Sequence, residues 1–281
     1  MSMFTANSGA ILTPAQIDEL LVKPVMAMSV ALQVARIVPC ESSSLRLPVV
    51  NEDPSAGWYA EGTEIGVTDM VVDQVNVAFH KLAGLSVVSN ELIADSSPEA
   101  SALVGEGLAR DIARKLDDAF FRDGATVANS PAGLGVQSGV AAVDAGAAFT
   151  NLDPFEAAIS KVETVGANVT AFVVNPTTAL SLAVLKTATG SNSNLLSVDP
   201  TMPTRRMISG VPLYVSPSVA DGTVWGIAGD RAVIGMRKDV AVESDTSAFF
   251  TSDRTAIRGI MRVGLGFPHT AAIAKITLSA P

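Results

Sequence analysis

Residues that usually carry catalysis are scarce in this chain. A single cysteine, Cys40, and two histidines, His80 and His269, occur among 281 residues. One cysteine excludes an internal disulfide framework and a cysteine-based zinc site. The histidines sit far apart in different kinds of segment, without the nucleophile and orienting acid that a histidine triad needs. Neither G-x-S-x-G nor G-x-x-x-x-G-K-[ST] is present. The glycines Gly133, Gly135 and Gly139 miss G-x-G-x-x-G by one residue, so they read as a loop. Aromatic residues make up 5% and charged residues 17%. No lysine or arginine run exceeds two residues, which argues against a sequence-reading nucleic-acid binder. No basic segment precedes an apolar core near the start, and the early apolar run Pro24–Ala35 is too short to span a bilayer. These absences predict a soluble, intracellular-type chain with no membrane contact, no cofactor, no metal and no catalytic residue.

What the chain has in quantity is aliphatic mass. It is 48% hydrophobic with a net charge of −9. A surface so poor in charge is most simply used up in contacts between subunits. The length is at the upper edge of what one core supports, so two lobes are expected.

The elements follow in order. Thr13-Pro14-Ala15-Gln16 reads as a capping box opening a short helix with Ile17, Leu20 and Leu21 on one face. Ser43 to Leu92 has strand character, with Val75, Val77 and Phe79 alternating against Gln74, Asn76 and Ala78. Within it "NEDPSAGWYAEGTEIG" is a turn-rich tip with few core residues. Ser97-Pro98 starts the longest helix, running to about Arg122, roughly 39 Å at 1.5 Å per residue. Leu103, Leu108, Ile112, Leu116 and Phe120 form its apolar stripe. Gly105 and Gly107 inside it imply a bend or a close neighbour. Asp117 and Asp118 read as solvated charges, with Asp118 near Arg114. After a Gly/Ser/Ala-rich loop, a second capping box is expected at Asp153-Pro154-Phe155-Glu156. Strand 171–174 and helix 176–187 follow, within a compact α/β lobe over about 150–235. Asn168 begins a glycosylation sequon in form only. Asn175 stands where strand turns to helix, a position that often marks an active site; with no acid, base or nucleophile close by, a helix cap explains it.

The order of the parts is informative where single motifs are weak. A helix-bearing arm precedes a long loop with "GWYAEG" (57–62). "VSNELIADS" (88–96) leads into the long helix ending in "FRDG" (120–124), followed by "PAGL" (131–134). The α/β lobe holds "VVNPTTALSLAVLK" and "GVPLYVS", and the close is "FFTSDRTAIRGIMRVGLGFPHTAAIAKI" (249–276). This order resembles the major capsid proteins of tailed bacteriophages with the Hong Kong 97 fold, over nearly the whole chain.

The resemblance implies an α+β capsid fold with an N-terminal arm (1–42), an extended E-loop hairpin (43–88), a P-domain with the spine helix (89–149), an α/β A-domain (150–235) and P-domain C-terminal strands (236–281). It implies a structural protein of the virion rather than an enzyme, assembled in the host cytoplasm. Its copies would form hexamers and pentamers of an icosahedral head. Implied partners are packaged double-stranded DNA, bound without sequence specificity, and a portal, with separate scaffolding and decoration proteins left open. Trp58, Tyr59 and Glu61 at the E-loop tip are the expected assembly contacts. Some members weld their shells with a Lys–Asn bond assisted by a Glu. Matched through Arg262, the Asn position here holds Asp253 and the Glu position Ile260, and the E-loop near Asp73-Gln74 has no lysine. The scaffolding region that many relatives carry before the arm is not expected here. Two competing readings are an encapsulin shell of the same fold with an enzyme cargo, and a soluble α/β hydrolase, which the missing nucleophile and base disfavour.

Overall fold

Long strands and one long helix set the shape of the subunit, in a computed structural model that describes residues 28–52, 54–67, 69–91, 99–188, 190–198 and 206–279. The helix expected after Thr13 lies outside the described residues. A five-residue helix α1 (Val30–Val34) leads into β1 (Arg36–Pro39), and β2 (Ser44–Glu52) and β3 (Val71–Ala78) form a two-stranded antiparallel ribbon. Strand β4 (His80–Ser89) precedes the 23-residue helix α2 (Glu99–Phe121). Then come β5 (Ala141–Asp144), α3 (Asp153–Thr164), β6 (Ala171–Val174) and α4 (Pro176–Val184). The chain continues through β7 (Ser197–Val198), β8 (Arg206–Ile208), β9 (Val211–Val215) and β10 (Thr223–Ile227). It closes with β11 (Val233–Phe249), β12 (Arg254–Gly266) and β13 (Ile273–Thr277).

Two further sheets result. One has four strands in the order β1-β11-β12-β4, and the other seven in the order β5-β13-β10-β6-β9-β8-β7. The apolar stripe of α2 buries Ile112, Leu116 and Phe120 against Ile234, Met236, Met261 and Val263 of the four-stranded sheet. Leu108 sits over Gly84, where a Cβ would come within 2.9 Å of Leu108 Cδ2. The close approach expected at Gly107 is therefore made from the sheet side, and a Cβ at Gly107 would meet open space. A second core gathers Phe155, Phe172, Val174, Leu182 and Ile208 under the seven-stranded sheet.

Several sequence expectations are corrected. Strand β4 pairs with β12 rather than with the ribbon, so the free hairpin spans β2 and β3 alone. The stretch 236–281, expected wholly beside the spine helix, sends β13 into the seven-stranded sheet between β5 and β10. Lys275 of β13 helps hold it there, with Nζ 2.6 Å from Asp123 Oδ1 and 5.5 Å from the centroid of the Trp225 ring. Helix α3 is capped at Leu152 without a side-chain bond, so no capping box forms; Asn151 donates instead to Asp153. Helix α4 ends at Val184, three residues early.

Asp117 and Asp118 are not solvated charges. Asp117 is buried beneath α1, where it accepts from Ser29 Oγ at 2.6 Å, Val30 N at 3.0 Å and Ala31 N at 3.0 Å. The first N–H groups of a helix lack intrahelical partners and carry partial positive charge, which a carboxylate satisfies. Asp118 accepts from Ser218 Oγ, joining α2 to the loop after β9. Burial raises the Asp117 pKa above the ordinary carboxylate value, although the Ser29 hydroxyl and the two amides pull it down.

Asp117→Ala strands three buried donors and is expected to cost about 2–4 kcal/mol in urea unfolding of the subunit. A folded-state pKa raised above the unfolded one means that the folded state binds the proton more tightly, so this residue's contribution to stability falls as pH rises through that window. The stability of the natural chain minus that of Asp117→Asn should therefore grow as pH is lowered from neutral toward 4.

Candidate assembly surfaces

The β2–β3 ribbon pairs Ser44–Glu52 with Val71–Ala78 in antiparallel register. A two-stranded ribbon has no second layer to cover its apolar residues. Val50, Val71 and Val72 are accordingly exposed along it, as are Ile65, Val67 and Met70 nearer the tip. Trp58 is fully exposed, and Glu61 beside it is exposed too. Tyr59 does something the sequence did not suggest. Its ring lies across both arms of the loop, 3.2 Å from where a Gly57 Cβ would stand, with its hydroxyl 3.6 Å from the corresponding point at Gly66. Thr63 N donates to Ala60 O at 3.1 Å, closing the turn at Gly62, whose φ is +82°.

Charge is distributed unevenly along the chain. Residues 47–80 contain no lysine or arginine but six acids: Glu52, Asp53, Glu61, Glu64, Asp69 and Asp73. This stretch therefore carries −6 of the net −9.

The four-stranded sheet has the opposite character on the face turned away from α2. Side chains alternate across a strand, so Arg254, Arg258 and Arg262 of β12 share that face. They stand opposite Ser89, Leu85 and Lys81 of β4. All three arginines and Lys81 are exposed, with Leu85 62% and Val87 39% exposed between them. Arg258 is ion-paired with Glu243.

At one end of this face the ribbon base is seated. Val77, 2% exposed, and Leu47 point onto Gly264 and Gly266, and Leu45 and Phe79 onto Gly235. The sequence reading passed over these glycines. The signal was present in "RVGLGF", where two glycines at period two fall on one face of a strand.

Asp253 and Ile260, the positions matched to the cross-link, are not brought together. Seven extended residues separate them by roughly 23 Å. Asp253 lies in the left-handed region with φ 49°, and its Oδ1 accepts from Asn90 Nδ2 at 2.7 Å while its carbonyl accepts from Asn90 N at 3.1 Å. Thr255 Oγ1 donates to Asn90 Oδ1, completing a clasp at the end of the β4–β12 ladder. Ile260 is half-buried opposite Ala83.

Asn175 is a joint. Its Oδ1 caps α4 through Thr177 N at 3.1 Å, and its Nδ2 donates to Val219 O at 2.7 Å. Beside it Asp221 accepts from Thr177, Thr178 and Gly222, and the two hydroxyls hold its carboxyl below the usual range. His80 Nδ1 lies 3.1 Å from Asn129 O, and Cys40 is half-buried. Among the described residues no acid, histidine and cysteine cluster fit for a metal ion occurs, and no helix is long and apolar enough to cross a membrane.

Comparison with known proteins points one way. A profile described as "Phage capsid family" matches residues 9–278. The fold is similar to the capsid of an empty GTA particle, with TM-score 0.73 and 22% identity, covering 90% of this chain and 90% of that one. It is similar to a chain of Microbacterium phage Oxtober96, with TM-score 0.72 and 21% identity over 89% of this chain and 91% of that one. A chain of Gordonia phage Cozz gives 0.71 and 19%, covering 100% and 98%. No curated protein sequence matches.

The Asn90 clasp gives a direct test of the ladder end. Asn90→Ala removes two side-chain hydrogen bonds, to Asp253 and from Thr255, at a partly exposed site and should lower subunit stability by about 1–2 kcal/mol. Asp253→Ala combined with it should add far less than its own single cost, a non-additivity that a double-mutant cycle reads.

Proposed function

This chain belongs to the phage capsid family and is a major capsid protein of the Hong Kong 97 fold that assembles into an icosahedral shell; we propose that the shell is built of hexamers and pentamers and held by non-covalent contacts, chiefly the E-loop of each copy lying on its neighbour. In this reading the arm is 1–42, the E-loop 43–79, the spine-helix P-domain 80–149 and 236–272, and the axial A-domain 150–235 with β5 and β13 added to its sheet. The shell encloses double-stranded DNA without reading its sequence, and a portal supplies the entry. The family is a structural, non-enzymatic one, and the chain has no turnover of its own.

The observation that carries the E-loop reading is a ribbon whose apolar tip buries against nothing among the described residues of its own chain. Exposed Trp58, Ile65, Val67 and Met70 outweigh what a soluble monomer ordinarily shows on so small a segment. Ordering such a tip costs conformational entropy that its own contacts do not offset, so its natural place is against another copy. Charge supports the surface it meets. The acidic, cation-free loop is complementary to the face bearing Lys81, Arg254, Arg258 and Arg262, with Leu85 and Val87 as apolar ground between the charges. Trp58 is the large aromatic anchor of this contact, Glu61 its neighbouring charge, and Tyr59 the internal brace that holds Trp58 outward.

A covalent weld would need a lysine amine, an amide carbon and a base. The stretch 47–80 offers no lysine, Asp253 offers a carboxylate held by Asn90, and Ile260 transfers no proton.

Trp58→Ala should leave the subunit soluble and folded while cutting the yield of closed particles by at least tenfold in electron micrographs; a normal yield would remove Trp58 from the contact. Boiled particles should run as one band at the monomer mass in denaturing gels, and a ladder of multimers would contradict non-covalent assembly.

A further inference from the structure

The ribbon base rests on a floor from which side chains are missing. Gly235 of β11 and Gly264 of β12 are directly paired, and Gly266 lies two residues on along the same face. A Cβ at Gly264 would stand 2.7 Å from Ala78 O and 2.7 Å from Val77 Cγ1. At Gly266 it would stand 2.6 Å from Val77 Cγ2 and 2.7 Å from Leu47 Cδ1, and at Gly235 3.1 Å from Phe79 Cε1. Val77 is β-branched and stiff, so it cannot swing clear. The ribbon thus sits as low on the sheet as its backbone allows.

We propose that Gly235, Gly264 and Gly266 are positioning residues that set the angle at which the E-loop leaves the subunit, and through it the curvature of the shell. The inference rests on the reading that the E-loop lies on a neighbouring copy. A methyl at Gly266 must move Val77 by about 0.8 Å to reach ordinary contact at 3.4 Å. Against a strand spacing of about 4.8 Å, that tilts the ribbon by about 10°. Six residues further out, at Val71, about 20 Å away, the ribbon moves by about 3 Å. Preorganised interfaces accommodate backbone shifts of about 1 Å. Every copy in a closed shell carries the same tilt, so the error accumulates around the particle rather than averaging out.

Four variants test this, each expressed as full chain and scored for particle diameter by electron microscopy and for subunit melting. Gly266→Ala should cut shells of the natural diameter at least tenfold, with other diameters, tubes or open sheets in their place. Val77→Ala alone leaves the floor underfilled and should broaden the diameter distribution. Combined with Gly266→Ala, it lets the new methyl take the space of the lost ones and should restore at least half of the natural-diameter shells. Gly84→Ala, against Leu108 on the opposite face of the sheet, is the control: it should lower melting comparably and keep the natural diameter. Gly266→Ala shells of natural diameter and yield would overturn the proposal, as would a diameter change in Gly84→Ala equal to that in Gly266→Ala. If Gly266→Ala does not fold, a uniform natural diameter in Val77→Ala overturns it, and a broadened one supports it. Failure of the unaltered chain to form particles would instead sink the assembly reading on which the proposal stands.

Discussion

A two-stranded ribbon cannot bury the apolar residues it carries, and the organisation of this subunit answers to that constraint. Three or more strands, or a covering helix, are needed before a sheet face closes on itself. Among the described residues the β2–β3 ribbon has neither beyond its base. Its outer half carries Trp58, Ile65, Val67 and Met70 into solvent, alongside acids and no cation. In the assembly proposed above, the ribbon is one half of a contact whose other half is another copy of the chain. The rest of the fold makes the ribbon's base and its landing face rigid enough for that contact to repeat.

Rigidity comes from α2 and the four-stranded sheet. Phe120 packs edge-on against Phe121, with ring centroids 4.9 Å apart, and lies 5.5 Å from Phe267 at the end of β12, tying the helix terminus to the sheet. The "PAGL" loop fits beneath the same terminus. A Cβ on Gly133 would come within 2.2 Å of Ala119 O, and Gly135 N donates to Arg122 O at 3.1 Å, satisfying one of the helix's last carbonyls. Asp117 fixes α1 on the other side of the helix. One face of the sheet is thereby committed to the core, and the other keeps its arginines and its glycine floor free of the helices among the described residues.

The spine helix, the strand and helix around Asn175, and the α/β lobe were legible in the sequence because each is written in local periodicity or a cap. Asn175 does what an asparagine before Pro176 should do. The ordered motifs were enough to identify the fold. Asp117 was not legible: on a helix surface it looks like Asp118 or Asp111, and its burial depends on Ser29, 88 residues away. The capping box at Asp153 failed because Leu152 took the cap position and Asp153 became the first helical residue. Strand β13 was misplaced because "AAIAKITL" reads as a strand without saying which sheet receives it. The glycines at 264 and 266 were visible as letters, but only the ribbon crossing above them gives them meaning. Tyr59 was expected as an assembly contact beside Trp58, and its packing over Gly57 and Gly66 could not be read from composition.

In the proposed shell the E-loop of one copy is completed by the next. A cryo-electron microscopy reconstruction of assembled particles tests it most directly. Ordered density is expected for residues 54–67 lying on the β4–β12 face of a neighbouring subunit, with Trp58 buried there and acidic side chains near Arg254, Arg258 or Arg262. A ribbon projecting freely from the shell, or folded back onto its own subunit with Trp58 in solvent, would contradict it.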